Sequence, residues 1–161
     1  MTILKAGFAA VAPAAAGFVG GVLGGIISDW FLRKNFSLSV ARKTPIILGM
    51  ILSMSIIVCN YTDDTTLVIF FMSLAFFGNG IGALGLAVNS DTGAKQIAGL
   101  SGGLLNTCGN ISSITTPIAI GYIVQGTGSF NGALVYVGVH AFIAALCSLF
   151  RVGDIKRAEL T

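Results

Sequence analysis

Four polar side chains lie inside long apolar stretches of this sequence, where each is a candidate for binding chemistry. They are Asn79, Asn106, Asn110 and His140. An asparagine amide both donates and accepts hydrogen bonds, which suits a ligand with carboxylate and hydroxyl groups. Asn106 and Asn110 are four residues apart, so a helix places both amides on one face. The residues alone leave two interpretations open for them, which are ligand contact and hydrogen bonding between helices.

His140 is the member of this set whose side chain type titrates near neutral pH. It is a candidate proton relay, but a hydrogen bond to a neighbouring helix is the simpler interpretation and the one we favour. The sequence contains no nucleophile–base pair and no cluster of side chains with metal-ligand spacing. We therefore predict no catalytic residue, no metal site, no cofactor and no enzyme activity.

The composition places these residues in a membrane protein. Of 161 residues, 55% are hydrophobic and 9% are charged, whereas about 25% of the residues of a soluble domain are charged. The mean hydropathy is +0.91. This balance excludes a soluble enzyme and a disordered chain, and a net charge of +3 is too small for a surface that binds nucleic acid. We predict an integral membrane protein in contact with the lipid bilayer, with no nucleic-acid partner.

The charged residues divide the chain into apolar segments of about the 20 residues that a spanning helix needs. Turn-forming residues at 125–129 interrupt the longest of these segments. Thr44 and Pro45 fit the N-cap and the first turn of the second helix. We predict an all-α membrane protein with five transmembrane helices in a single membrane domain over residues 1–161. The predicted spans are 6–28, 44–61, 65–90, 97–124 and 130–150.

The basic residues predict the orientation of these spans. Successive spans cross the membrane in opposite directions, so every second connecting segment lies on the same side. All nine basic residues except Lys5 fall in segments on one side, and the positive-inside rule makes that side cytoplasmic. They are Arg33, Lys34, Arg42, Lys43, Lys95, Arg151, Lys156 and Arg157. We expect the amino terminus outside, the carboxy terminus in the cytoplasm, and a multi-pass protein of the cell (inner) membrane without a cleavable signal peptide.

Glycines at a spacing of four form two stripes along the first predicted helix. One stripe consists of Gly17, Gly21 and Gly25, and the other of Gly20 and Gly24. Small residues at this spacing allow another helix backbone to approach closely. We predict helix packing for these stripes, with sliding against a neighbour during a conformational cycle as the alternative.

A loop motif follows directly, with Gly25, Asp29, Arg33 and Lys34 in the pattern G-x-x-x-D-x-x-x-R-K. Asp29 and Arg33 are four residues apart and would pair if the helix continues one turn past the membrane. The motif resembles the cytoplasmic loop motif of major facilitator superfamily transporters, which follows helix two and, more weakly, helix eight. This resemblance implies a charge latch that holds helices together at the cytoplasmic face.

A longer and more specific resemblance covers the second half of the chain. Residues 76–85 read FFGNGIGALG, residues 97–110 read IAGLSGGLLNTCGN, and residues 114–118 read ITTPI. Together they resemble helices ten and eleven of the anion:cation symporter family within that superfamily, in the branch that imports sugar acids such as D-glucarate and galactarate. The resemblance implies that Asn106 contacts substrate. Asn79 and Asn110 are further candidate substrate-binding residues, with cavity lining left open for Asn79 and packing favoured for Asn110.

Two further features concern these segments, a proline within the predicted helix and a departure from the family pattern. Pro117 should kink its helix, because it lacks an amide donor, and Thr115 and Thr116 are placed to satisfy the freed carbonyl groups. Leu86 departs from the family pattern, because many relatives have a tryptophan there that packs against substrate.

A full transporter of this superfamily has twelve helices in two halves with substrate between them. The resemblance therefore implies that the chain supplies helices eight to twelve, a partial carboxy-terminal half-bundle. We predict the carboxy-terminal fragment of a proton-coupled secondary transporter for sugar acids, not competent alone, with substrate and protons as partners once an amino-terminal half completes it. A split-transporter subunit and a non-transporting membrane scaffold are the alternatives.

Overall fold

The structure is a computed structural model that describes residues 3–93, 97–150, 153 and 155. These residues form six α-helices and no strand, so the predicted all-helical class is confirmed. The helices are α1 (Ile3–Arg33), α2 (Leu38–Ser53), α3 (Thr65–Gly82), α4 (Gly85–Thr92), α5 (Ala98–Thr127) and α6 (Asn131–Phe150), and a 3₁₀ segment (Met54–Tyr61) continues α2. Lys95, Arg151, Lys156 and Arg157, which contribute to the predicted orientation, lie outside the described residues.

Four helical stretches of the described chain are long and apolar enough to cross a membrane. They are Ala9–Arg33, Leu38–Tyr61, Thr65–Thr92 and Asn131–Phe150. The remaining predicted span coincides with α5, which has 30 residues but includes many asparagine, serine and threonine side chains. A helix of this length is long enough to cross a bilayer, and its composition is more polar than that of a simple spanning helix.

The second helix begins earlier than the prediction of Thr44 as its N-cap. α2 starts at Leu38, and the N-cap is Ser37, whose side chain accepts a hydrogen bond from the amide of Val40 at 3.3 Å. The prediction was wrong because a basic pair, Arg42 and Lys43, was assigned to a loop, whereas it lies within the first turns of the helix.

Pro45 consequently lies inside α2, where its side chain is fully buried. A proline has no amide N–H, so it leaves the carbonyl oxygen of Ala41, four residues earlier, without its helical donor. Ser28 of α1 replaces that donor, because its Oγ donates a hydrogen bond to the Ala41 carbonyl at 2.8 Å. A neighbouring helix therefore supplies the hydrogen bond that Pro45 removes, which joins α1 to α2 at this level.

α3 lies between α1 and α2 and contacts both extensively. On the α1 side, a Cβ added at Gly24 would lie 2.6 Å from the carbonyl oxygen of Ile81, and one added at Gly20 would overlap the α3 backbone. At Gly21 the nearest such atom is 3.9 Å away, and Gly25 has open space. Gly20 and Gly24 therefore leave no room for a side chain against α3, whereas a Cβ at Gly17 would lie 3.4 Å from the Phe76 carbonyl oxygen and Gly21 and Gly25 leave more space.

The α2–α3 contact is equally close. A Cβ added at Gly78 would lie 2.6 Å from the carbonyl oxygen of Gly49. Ser53, buried in the same interface, donates its hydroxyl to the carbonyl oxygens of Gly49 at 2.9 Å and Ala75 at 3.1 Å. α6 packs against α2 and its 3₁₀ continuation, where Gly138 faces Ile57.

The stretch predicted as one span at 65–90 contains a break. α3 ends at Gly82, Ala83 and Leu84 leave the helical path, and α4 continues from Gly85 to Thr92. α5 follows and has no buried residue, with its main contacts to α4 and α6. The packed part of the molecule is therefore formed by α1, α2, α3 and α6, with α5 beside it.

Candidate functional site

A buried arginine joins three helices at one end of the bundle. Arg42 is 8% exposed. Its Nε donates to Asp91 Oδ2 of α4 at 2.7 Å, and its Nη1 donates to Ser28 Oγ of α1 at 2.7 Å and lies 3.4 Å from Asp29 Oδ1. We call Ser28, Asp29, Arg42 and Asp91 the Arg42 cluster. It connects the end of α1, the start of α2 and the end of α4.

The Arg42 cluster corrects the predicted pairing within the loop motif. α1 does continue to Arg33, but Asp29 forms its ion pair with Arg42 rather than with Arg33. Arg33 is exposed, and the Lys34 ammonium lies 4.4 Å from the centroid of the Trp30 ring. Sequence analysis missed Arg42 because its partners are distant in the chain.

The candidate substrate residues of α5 lie on an exposed helix. Asn106 and Asn110 are both exposed, and within the described chain no hydrogen bond to either amide is present. The neighbouring hydroxyl group of Thr107, by contrast, forms a hydrogen bond within α5, because it donates to the Gly103 carbonyl at 2.9 Å. Such hydroxyls bond within their own helix, whereas the two asparagine amides have no hydrogen bond within the described chain and are available to a ligand or partner.

α5 remains helical through Pro117. The Thr115 hydroxyl donates to the carbonyl oxygens of Ile111 at 3.1 Å and Ser112 at 3.3 Å. The carbonyl group that Pro117 leaves without a helical donor is that of Ser113, so Thr115 does not form the predicted compensation. Among the described residues, the Thr116 hydroxyl donates no hydrogen bond either. Leu86, which departs from the pattern that the family resemblance implies, is 63% exposed on α4.

Asn79 and His140 line one cavity of about 360 Å³, which we call the His140 cavity. Its walls are formed by α2 with its 3₁₀ continuation, α3 and α6, and Ser53 is its third polar lining residue. Asn106 and Asn110 are not among the lining residues. The structure therefore brings Asn79 together with His140, and it places the two asparagines of α5 elsewhere.

The orientation of the His140 ring is fixed by its own helix. Nδ1 lies 2.9 Å from the carbonyl oxygen of Tyr136, and the two aromatic rings are 4.2 Å apart between centroids. A carbonyl oxygen only accepts, so Nδ1–H is the donor of this hydrogen bond. The predicted hydrogen bond of His140 is thus made within α6 and not to a neighbouring helix.

No protein-family model matches the sequence. The chain is 67% identical over 160 residues to the probable galactarate/D-glucarate transporter GudP of Escherichia coli K12. The matched region covers 99% of this chain and 36% of the relative. The corresponding transporter of Bacillus subtilis is 66% identical over 160 residues, covering 99% of this chain and 35% of the relative. A D-galactonate transporter of Escherichia coli O6:H1 is 45% identical over 157 residues, covering 98% of this chain and 36% of the relative.

The chain belongs to the family of these transporters. It spans about a third of the length of the curated relatives it matches. The predicted family is therefore confirmed, and with four candidate membrane spans the chain is a multi-pass membrane protein. Its relatives are transporters, which are not enzymes.

Within this family member, the two groups of polar residues occupy different levels. Asn79 lies near the middle of the span Thr65–Thr92, and His140 lies near the middle of the span Asn131–Phe150. Asp29 and Asp91 lie close to the ends of their spans, where Arg42 pairs with both. The His140 cavity therefore lies near the middle of the candidate spans, and the Arg42 cluster lies near their ends.

Proposed function

We propose that the chain is the carboxy-terminal part of a proton-coupled secondary transporter of the major facilitator superfamily that imports sugar acids of the galactarate and D-glucarate class. The observation that supports this most directly is 67% identity to a transporter of that name, extending over 99% of the chain. Identity of this degree over 160 residues favours the same substrate chemistry over a non-transporting scaffold.

We also propose that the chain needs further membrane helices to transport. α5 exposes the amides of Asn106 and Asn110, whereas an unsatisfied polar group in hydrocarbon costs several kcal/mol. A second set of helices, in the same polypeptide or a separate subunit, would cover this face and close a substrate site against it. Substrate contact by Asn106, with Asn79 and Asn110 as additional contacts, is part of this proposal.

A chimera tests the proposed function. We expect the 161-residue chain, substituted for the matching segment of the Escherichia coli relative, to support proton-dependent uptake of radiolabelled D-glucarate into proteoliposomes. The chain alone should give no uptake. In the chimera, Asn106→Ala should lower uptake about tenfold, because a lost hydrogen bond to a charged ligand group costs about 1.5 kcal/mol or more.

Thr107→Ala is the matched control for Asn106→Ala. Its hydroxyl is already bonded to the Gly103 carbonyl within α5, so uptake should remain near that of the unaltered chimera. Uptake by the chain alone would contradict the need for further helices. An inactive chimera that folds and inserts normally would contradict the proposed function.

We propose that the end of the bundle with the Arg42 cluster faces the cytoplasm. Lys34 and Arg42 lie at this end, and the backbone amide of Ile155 donates to Ser39 Oγ at 2.6 Å, which places Ile155 at the same end. Basic residues are enriched in cytoplasmic segments of membrane proteins. The exposed acidic residues Asp63 and Asp64 would then face outside.

Cysteine labelling measures this orientation. In a cysteine-free background, we expect Asp63→Cys to react with a membrane-impermeant maleimide in intact cells. Lys34→Cys should react only after the membrane is permeabilised. The reverse pattern of labelling would contradict the proposed orientation.

A further inference from the structure

The 3₁₀ segment Met54–Tyr61 is an unusual continuation of a membrane-spanning helix. It extends over 8 residues, whereas 3₁₀ runs longer than about four residues are uncommon, because their hydrogen-bond geometry is poorer than that of an α-helix. The segment completes the candidate span Leu38–Tyr61, so it belongs to a membrane helix and not to a loop. A 3₁₀ stretch within a helix often marks a hinge. Its neighbours must therefore favour this winding over the α-helical one.

One row of side chains on this segment faces α6. In a 3₁₀ helix every third side chain lies in the same row. Ile57 contacts α6, because a Cβ added at Gly138 would overlap the end of the Ile57 side chain. Asn60, three residues later, donates from Nδ2 to the carbonyl oxygen of Asn131 at 3.3 Å. The 3₁₀ winding therefore places both side chains against the same helix.

An α-helical winding would break both contacts. Ser53 fixes the start of the segment, because it is buried and its hydroxyl donates to the carbonyl oxygens of Gly49 and Ala75. Successive residues turn by about 100° in an α-helix and by about 120° in a 3₁₀ helix. Rewinding from Ser53 would thus turn Ile57 by about 80° and Asn60 by about 140°. Neither side chain would then face α6 where that helix now lies.

Two features oppose the 3₁₀ form. One is the poorer geometry of its backbone hydrogen bonds. The other is Oδ1 of Asn60, which is buried by atoms of the described chain itself and accepts no hydrogen bond from them. A buried acceptor without a donor is unfavourable, and turning Asn60 away from α6 would uncover this oxygen beside Tyr61, which is 85% exposed. The contacts with α6 therefore decide which winding forms.

We propose that the 3₁₀ segment is a conformational switch, which α6 holds in the 3₁₀ form and which rewinds to an α-helix when α6 moves away. Rewinding draws Tyr61 about 4 Å toward Ser53, because the rise per residue falls from about 2.0 to about 1.5 Å. The loop with Asp63 and Asp64 follows Tyr61 directly. A movement of α6 is thus converted into a movement of this loop, at the end of the bundle opposite the Arg42 cluster. This switch goes beyond the proposed function, because it follows from helix contacts and not from the substrate.

Solid-state NMR of the full chain in lipid bilayers measures the winding directly. Met54 and Val58 are the one methionine–valine pair with this spacing of four in the sequence, so ¹³C-carbonyl methionine combined with ¹⁵N-valine isolates them. In an α-helix the Val58 amide donates to the Met54 carbonyl, which places the labelled nitrogen and carbon about 4 Å apart. In a 3₁₀ helix the amide donates to the carbonyl of Ser55 instead. We expect only a weak dipolar coupling in the unaltered chain.

Gly138→Ala tests whether α6 holds the segment in the 3₁₀ form. The added methyl group overlaps the Ile57 side chain and should displace the segment from α6. We expect the segment to rewind and the strong coupling of an α-helical pair to appear. Adding Ile57→Ala removes the overlapping atoms, and the remaining Cβ of residue 57 lies 3.9 Å from the new methyl group. This double variant should therefore return to the weak coupling.

Gly121→Ala is the matched control, because it adds the same methyl group to α5 where no atom of the described chain lies within 4 Å. Its coupling should remain weak. A strong coupling in the unaltered chain, in Gly121→Ala or in the double variant would overturn the proposal, and so would a weak coupling in Gly138→Ala. Uptake of D-glucarate by the chimera is measured separately, so an inactive chimera leaves the switch intact, and failure of the switch leaves the transport function intact.

Discussion

Replacing Gly80 with alanine is expected to force α1 away from α3 and to destabilise the protein by about 3 kcal/mol. A Cβ at this position would lie 2.7 Å from the amide nitrogen of Gly21 and would overlap the carbonyl oxygen of Gly17. Both neighbours are backbone atoms of a helix, so neither can rotate away as a flexible side chain would. The helices must therefore separate, and packing contacts along their whole interface weaken.

Gly21→Ala is the matched control on the opposite side of the same interface. Its Cβ would meet the nearest atom of α3, the carbonyl oxygen of Gly80, at 3.9 Å, which is an ordinary van der Waals distance. Alanine is favoured over glycine in a helix by about 1 kcal/mol, so this variant should be as stable as the parent or more stable. Circular dichroism during SDS titration in micelles measures both, and equal losses would contradict the close contact at Gly80.

The glycine stripes illustrate how far sequence analysis reaches in this fold. Their spacing predicted close helix packing, and the structure places Gly20 and Gly24 against α3. The spacing could not decide which stripe packs more tightly, because Gly21 and Gly25 have the same period. In a membrane both faces of a helix are apolar, because lipid and protein interior are similar environments. Hydrophobicity therefore does not show which of the two glycine stripes packs more tightly against another helix.

The helix boundaries were less predictable for a related reason. Charges divide a membrane protein into spans, but they do not mark helix ends, because a helix continues into the interface. α2 therefore begins at Leu38 and includes Arg42, whose charge suggested a loop. The hydrogen bond from Ser28 that compensates Pro45 joins residues on different helices, and such tertiary pairing has no local signature in the sequence.

The candidate site was predictable in residue type and not in arrangement. Isolated polar residues in apolar stretches identified Asn79, Asn106, Asn110 and His140, since any such group needs a partner. The sequence did not place Asn79 and His140 in one cavity, because they lie on helices separated by two others in the chain. Only the packing of α3 and α6 around α2 brings them to the same cavity.

Replacing Arg42 with glutamine is expected to destabilise the protein by about 2 kcal/mol. Removing one partner of a fully buried ion pair costs about 3–5 kcal/mol, because the remaining charge is left without compensation. The Asp91 side chain is 30% exposed, so water offsets part of that cost. Asp29 is 62% exposed and contributes little, since exposed ion pairs give about 0–1 kcal/mol.

Arg33→Gln is the matched control. It removes the same charge from an exposed residue of the loop motif. It should change stability by no more than about 0.5 kcal/mol. The SDS titration used for the glycine variants measures both substitutions. Equal effects of Arg42→Gln and Arg33→Gln would contradict a specific role of the Arg42 cluster in joining the helices.

A double substitution distinguishes the ion pair from general packing at Arg42. If the loss in Arg42→Gln arises from an uncompensated Asp91 carboxylate, then Asp91→Asn in the same chain should restore much of the stability, because two neutral amides leave no buried charge. If the loss arises from packing of the arginine side chain, Asp91→Asn should add its own cost instead. Restoration would establish that the loss in Arg42→Gln comes from the unpaired Asp91 carboxylate and not from lost packing of the arginine side chain.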